Sequence, residues 1–399
     1  MGENMCLTCK GGRLLCGMSS CPLLERIKYQ TPVTEKLSEH LFGPSPSIFV
    51  GWNGWPDVSV GPLTSIAPDD ASLLDNPRDW YGLGVDEIIR MRSYLVRSKQ
   101  RQNVSGRSRF VEENQEIALS VRPVDVEAVF KRKPSYTLSF SPISQPMGPS
   151  GELLKLEVSG NPVIPRQVDA VVSDELPASD AVSLLFEKDY DVYYLTRVLS
   201  SGALGKTERK KLVPTRWSIT AVDDLLGKHL MERIRGYPTV NDFLIYSNTY
   251  LDNHFEILVQ PGGWEFEQFE AWAPKTLWTM NAKEPLIAHE HEKHEGRWDY
   301  ALNEGGGYYA GRFAVCEALD AMRRQARVVV FREIYEGYVI PVGVWEVREN
   351  VRKAMQETPK KFATQKEALQ HLSTRLRIPI KKYLEKSETL QQKRITDYT

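Results

Sequence analysis

The sequence predicts an α+β protein: a mixed α/β, multi-domain body behind a small N-terminal four-cysteine module. Three observations lead there. The 399 residues are more than one hydrophobic core ordinarily organises. Strand-like runs and amphipathic helical stretches follow one another without regular alternation or internal repeat. Four of the five cysteines fall within the first 21 residues.

Those cysteines, Cys6, Cys9, Cys16 and Cys21, are spaced C-x2-C-x6-C-x4-C, and Cys316 is remote. A CxxC knuckle brings two thiolates to one ion from a tight turn, and a second pair closes a tetrahedron. Gly11, Gly12 and Gly17 suit a backbone that bends sharply, and Lys10 and Arg13 offset the thiolate charge. The spacing predicts one structural zinc ion with every position filled by protein, hence no open site for chemistry. Two disulfides, four unrelated thiols or an iron–sulfur cluster on the same ligands are the competing readings.

A hydrophobic content of 41% with 26% charged residues suits a globular body with a sizeable core. No apolar stretch approaches the ~20 residues that span a bilayer, and the N-terminus lacks the apolar segment of a secretory signal. The expected location is the cytoplasm, beside the nucleoid, with no membrane partner. A net charge of -1 means that any polyanion must be met by a local patch.

Along the chain, Ile48 to Val50 reads as a buried strand inside residues 43–63, GPSPSIFVGWNGWPDVSVGPL, where Gly and Pro force irregular backbone. Residues 86–102 read as a helix, with Ile88, Met91 and Leu95 as its apolar face. Strands are expected at 136–140, 153–158 and 192–199. A helix should open at Thr220-x-x-Asp223 and end before Gly236 and Pro238. Paired strands follow at 243–250 and 255–259, then a strand at 264–272 with a bulge. Residues 283–299 are polar enough for a linker. Beyond them come a Gly-rich loop, a helix at 312–325, strands at 327–334 and 338–347, and a helix opened by Thr364-x-x-Glu367. The domain expectation is therefore a module at 1–28, a first domain at 29–282, a second at 283–385 and a mobile tail at 386–399.

Residues 90–111 hold seven Arg or Lys and no acid. On a helix, Arg90, Tyr94, Arg97 and Arg101 share one face, so this stripe, continued by Arg107 and Arg109, is the candidate nucleic-acid surface. A solvated helix face is the plainer reading. KTERKKLVPTR at 206–216 is a second basic patch. GGGYYAGR places Gly305, Gly306, Gly307, Tyr308, Tyr309 and Arg312 where a helix start meets glycines, a candidate nucleotide or phosphate site. Close packing is the alternative. His289, His291 and His294 lie in HEHEKHE without HExxH spacing, which favours a solvated charged segment over a second metal site. Trp52, Trp55, Arg216 and Trp217 line a pocket or simply pack. Gln392, Ile395 and Tyr398 have the layout of a sliding-clamp-binding peptide, with Thr399 in place of a second aromatic. No nucleophile–base pair stands out.

Taken together, the cysteine module, GPSPSIFVGWNGWPDVSVGPL, LVPTRWSITAVDD, GGGYYAGR and the tail resemble the Nre family of archaeal DNA-repair proteins over nearly the whole chain. The resemblance implies N- and C-terminal Nre domains, a DNA-damage role and docking on the PCNA sliding clamp. It also associates the body with an ADP-ribosyltransferase-like fold and with ADP-ribosyl chemistry on DNA ends, with NAD or ADP-ribose as substrate and Arg312 on the pyrophosphate. It names no catalytic residue. A repair enzyme tethered to the clamp and acting on single-stranded or damaged DNA ends is the leading expectation. A DNA-binding adaptor and an RNA- or tRNA-processing zinc protein are the rivals.

Overall fold

A computed structural model describes residues 8–9, 11–15, 21, 24, 33–67, 70–136, 147–276, 278–279 and 282–391. The chain divides into two compact units, residues 18–226 with 10–14, and residues 227–399 with 1–9 and 15–17. Each carries one six-stranded sheet, giving the mixed α and β content expected.

The first unit contains β1 (His40–Ser45), β2 (Ile48–Val50), β3 (Asp57–Ser65), α1 (Val85–Ser93), β4 (Leu95–Asn103), α2 (Arg109–Leu119), β5 (Val124–Phe130), β6 (Ser150–Val158), α3 (Arg166–Ser173), α4 (Ala178–Phe186) and α5 (Val192–Ser200). Its strand order is β1-β5-β6-β4-β3-β2, antiparallel except for β6 beside β4. Alternate residues of β5 (Val124, Val126, Ala128 and Phe130) face a core shared with Val58, Val60, Val96 and Ile117. Gly61 allows β3 and β4 to meet, since a Cβ there would lie 2.1 Å from the Ser98 carbonyl oxygen.

The helix expected over 86–102 stops at Ser93, whose hydroxyl donates back to the Ile89 carbonyl at 2.7 Å. From Leu95 the same chain is strand β4, paired with β3. Residues 192–199, expected as a strand, form helix α5. Asp191 caps it by accepting from the Tyr193 and Tyr194 amides at 2.9 Å, and Val192, Leu195, Val198 and Leu199 are buried. The strand expected at 136–140 falls mainly outside the described residues.

Helix α6 (Thr215–Ile234) begins five residues before the predicted start, so Asp223 is a buried mid-helix residue and not part of a cap. The division between the units falls within α6.

The second unit contains β7 (Phe243–Tyr250), β8 (Asn253–Gln260), β9 (Glu265–Trp272), β10 (Leu286–Glu292), α7 (Gly306–Met322), β11 (Arg327–Ile334), α8 (Trp345–Gln356), β12 (Lys360–Phe362), α9 (Gln365–Arg375), α10 (Ile380–Leu384) and α11 (Glu388–Gln391). The order is β10-β9-β11-β8-β7-β12, with only β9 and β11 parallel. All eight residues of β8 and of β11 are buried, because helices cover both faces of the sheet. One face packs Phe269, Val329 and Phe331 against Leu372 of α9 and Tyr383 of α10. That double covering also explains the expected bulge in β9: its apolar residues need not alternate, and its pairing with β10 and β11 runs without a slip.

Residues 283–299 are not a linker throughout, since Leu286–Glu292 forms the sheet strand β10. The strand expected at 338–347 is absent, and α8 begins at Trp345. Thr364 does cap α9, with Glu367 completing the capping box. Described residues of the expected mobile tail pack instead: the Ser387 hydroxyl and the Glu388 amide donate to the buried Glu267 carboxylate, the latter at 2.7 Å.

Candidate functional site

In strand β4, side chains two apart share a face, so Arg97, Lys99 and Arg101 form one row. The row lines a concavity of about 430 Å³ together with Phe49, Gly51, Trp52, Asn53, Gly54 and Ser59. None of these lining residues is acidic. The cations are held by neutral acceptors: Arg97 donates from Nη2 to the Gly148 carbonyl at 3.5 Å, Lys99 to the Ser150 hydroxyl at 2.9 Å and Arg101 to the Asn53 carbonyl at 3.1 Å. Arg97 Nε is buried with no hydrogen-bond partner among the described residues. Burial, then the neighbouring Arg92 charge, lowers the Arg97 pKa to about 10. Burial, then Arg97, lowers that of Lys99. Burial is the first cause of both shifts, and among the described residues no acidic side chain pairs with either cation.

The turn that closes this cup depends on glycine. Gly54 has φ +85°, and a Cβ there would sit 2.5 Å from Arg101 Nη2. Any side chain would strain the turn and push the guanidinium aside. Trp52 stands half exposed in the cup wall, while Trp55 touches Trp217 with ring centroids 5.1 Å apart.

The predicted helical stripe is therefore replaced by a strand row. Arg97 and Arg101 come together, but Arg90 is exposed on α1 and Tyr94 packs half-buried beneath the Lys36 ammonium. Arg107 donates to the Thr207 carbonyl, and Arg109 pairs with Glu113 at 3.1 Å. A helical period of 3.6 leaves Lys99 off the stripe. A period of two, starting from buried Leu95 and Val96, selects it. In the second basic patch, Thr207–Arg209 is a single 3-10 turn and Arg216 is exposed on α6.

The Gly-rich sequence of the second unit does different work. Gly305 is the N-cap of α7, and Gly306 and Gly307 already lie in the helix. A Cβ on Gly307 would be 2.3 Å from Glu270 Oε1, and one on Gly311 would be 2.1 Å from Gln268 Oε1, so these glycines let α7 settle onto β9. Tyr308, Tyr309 and Arg312 are buried. Arg312 Nη1 donates to Glu292 Oε2 at 2.7 Å, and neither side chain is exposed at all. Arg312, expected on a pyrophosphate, is paired inside the fold with Glu292.

Under α7 and α8 the sheet carries a buried polar network that the sequence did not suggest. Arg332 reaches Glu270, the Asn253 side-chain oxygen at 2.8 Å and Glu346 at 3.2 Å. Gln268 donates to Glu304 at 2.7 Å. Burial and then the Glu270 charge push Glu304 well above the usual carboxylate range. Burial above all raises Glu346 to about 7, against the pull of Arg332.

Two of the three histidines are paired within the sheet and not in a solvated run. His289 lies 2.7 Å from Glu267 and His291 lies 2.9 Å from Glu265, both across the β9–β10 pair, whereas His294 is exposed beyond the strand. Burial pushes Glu265 up, but His291 and Arg327 pull it down to about 2. Of the proposed zinc ligands, Cys9 is buried and Cys21 half-buried, and Cys6 and Cys16 lie outside the described residues. Gly11 has φ +76°, and a Cβ there would come 3.2 Å from Cys21 Sγ, so the chain turns tightly beside that thiol. Among the described residues no three His, Cys, Asp or Glu side chains are grouped to hold a metal. Gln392, Ile395 and Tyr398 also lie outside the described residues.

The profile of the archaeal Nre N-terminal region matches residues 15–279, and that of the Nre C-terminal region matches residues 292–398. The chain belongs to the Nre family. It is 39% identical to DNA repair protein NreA of Archaeoglobus fulgidus over 375 residues, 93% of each chain. It is 35% identical to DNA repair protein NreB of the same organism over 390 residues, 98% of this chain and 97% of the relative. DNA repair protein NreA of Haloferax volcanii is 37% identical over 325 residues, 79% of this chain and 77% of the relative. No solved structure matches, so the Nre chain gains no support for an ADP-ribosyltransferase-like fold. Among its described residues no helix is long and apolar enough to cross a membrane.

Proposed function

We propose that this Nre chain is a DNA-repair factor that binds DNA through the β4 cup and docks on the PCNA sliding clamp through its last eight residues. The observation that carries the DNA-binding part is the acid-free row of Arg97, Lys99 and Arg101 in a concave wall beside Trp52. Cations in a concavity focus positive potential, and phosphate contacts supply most of a protein's affinity for nucleic acid. The repair role is supported by the names of the relatives. The proposal stops at binding, without ADP-ribosyl chemistry, because the side chains of Tyr308, Tyr309 and Arg312, expected to hold that ligand, are buried. In the same reading Cys6, Cys9, Cys16 and Cys21 hold a structural zinc ion, which the tight turn at Gly11 would suit.

Lys99→Glu and Arg101→Glu test the cup by fluorescence anisotropy with labelled DNA across a salt series. Each should weaken binding and reduce the slope of log affinity against log salt by about one. Wild-type affinity and slope in both variants would remove the cup from the interface. Deleting the chain from Gln392 onward should abolish clamp binding in a pull-down, and full binding without it would dismiss the peptide.

A further inference from the structure

The cup is an open concavity in the wall of the first unit's sheet. Its volume of about 430 Å³ has the size of one small molecule, and it stays open to solvent. The cations descend into it: Arg101 is exposed at the rim, while Lys99 and Arg97 are half-buried. Successive members of the row are about 6.8 Å apart along the strand. A duplex carries its phosphates on a convex rod and stacks its bases inside, so it can touch the rim but not the inner wall. A nucleotide that has left the stack can enter, with its phosphate among the cations and its base on an aromatic face. The half-exposed Trp52 indole supplies that face, and Asn53 and Ser59 add polar side chains to the lining.

We infer that the cup takes one unstacked, phosphorylated nucleotide of a DNA strand, its base against Trp52 and its phosphate on Arg97, Lys99 and Arg101. The inference rests on the DNA-binding reading of the same cup and names its substrate class: single-stranded ends, gaps or extruded lesion nucleotides. Trp52 and Gly54 belong to the GWNGWP turn, so one short segment supplies both the stacking face and the tight bend that seats Arg101.

The full-length protein would be titrated into three labelled probes: a 5′-phosphorylated single strand, a blunt duplex of the same sequence, and the duplex with a single-nucleotide gap. Thymidine 5′-monophosphate serves as competitor. The single strand and the gapped duplex should bind at least tenfold tighter than the blunt duplex. Trp52→Ala should cost those two probes about tenfold, Trp52→Phe should restore most of the loss, and neither should alter blunt-duplex binding or the melting temperature. Equal affinity for all three probes, with charge reversal of Lys99 weakening all alike, would overturn the unstacked nucleotide while leaving DNA binding intact. Binding of no probe would overturn both readings. Displacement by the mononucleotide at concentrations no higher than those of the oligonucleotide would assign the cup to a free nucleotide and refute the strand.

Discussion

Arg312→Ala is expected to lower the unfolding free energy of the second unit by about 3–5 kcal/mol, the largest effect of any single change considered for this chain. Arg312 and Glu292 both have zero solvent exposure and meet at 2.7 Å. Removing the guanidinium leaves a carboxylate in a medium that cannot solvate it, with the Trp264 indole N–H at 3.2 Å among the donors that remain. The guanidinium also lies 5.7 and 5.3 Å from the Tyr308 and Tyr309 ring centroids, so packing is lost with the charge. Urea unfolding should show a lower midpoint for Arg312→Ala. The double variant Arg312→Met with Glu292→Leu should recover part of the loss, because it buries no lone charge. A single-variant loss under about 1 kcal/mol would mean that Glu292 is satisfied by other groups.

The second large effect is a fall in stability as pH rises. Glu304 lies well above the usual carboxylate range and Glu346 at about 7, each raised first by burial. An unfolded glutamate titrates near ~4.3. Between that value and the folded one, the folded protein holds protons that the unfolded chain has released, so stability is fully present below ~4.3 and falls as pH climbs through 7. Each such proton is worth at most about 1.4 kcal/mol per pH unit in that window. Glu265, held at about 2, acts in the opposite sense and far below, where stability is lost as pH falls from ~4.3 toward 2. Melting temperatures should therefore drop between pH 5 and pH 7. Glu304→Gln, which keeps the shape of the neutral acid beside Gln268, should make that drop shallower with little change at pH 4. A wild-type curve that is flat or rising over this range would show that both acids are ionised in the folded protein.

These two predictions concern residues that the sequence marked for another purpose or not at all. In GGGYYAGR, glycines and an arginine at a helix start resemble anion-binding loops. The same residue types are what a helix needs in order to lie against a polar strand and neutralise a buried carboxylate. Only the position of β10, which brings Glu292 to Arg312, separates the two uses. The Arg332, Glu270 and Glu346 set was illegible for a related reason. Its members come from β11, β9 and α8, and a strand covered on both faces has no alternation to expose its polar positions.

Local chemistry carried much of what could be read in advance. The Thr364 cap, the paired strands β7 and β8, the run of β11 and the break after Ile234 all follow from side-chain preferences within a few residues. Family membership was equally legible, because a resemblance in residue order does not depend on the shape the chain adopts. The concentration of positive charge between residues 90 and 111 was also a fact of sequence. What the sequence by itself did not determine was how that charge is arranged. The apolar spacing of Ile88, Met91 and Leu95 fits a helix continued through residue 102, yet pairing with β3 satisfies the backbone of residues 95–103 as a strand. That single change of period brings Lys99 between Arg97 and Arg101 and sends Arg90 and Tyr94 elsewhere. Strand pairing is a long-range hydrogen-bond choice, so the tertiary structure alone could turn a basic stripe into a cup.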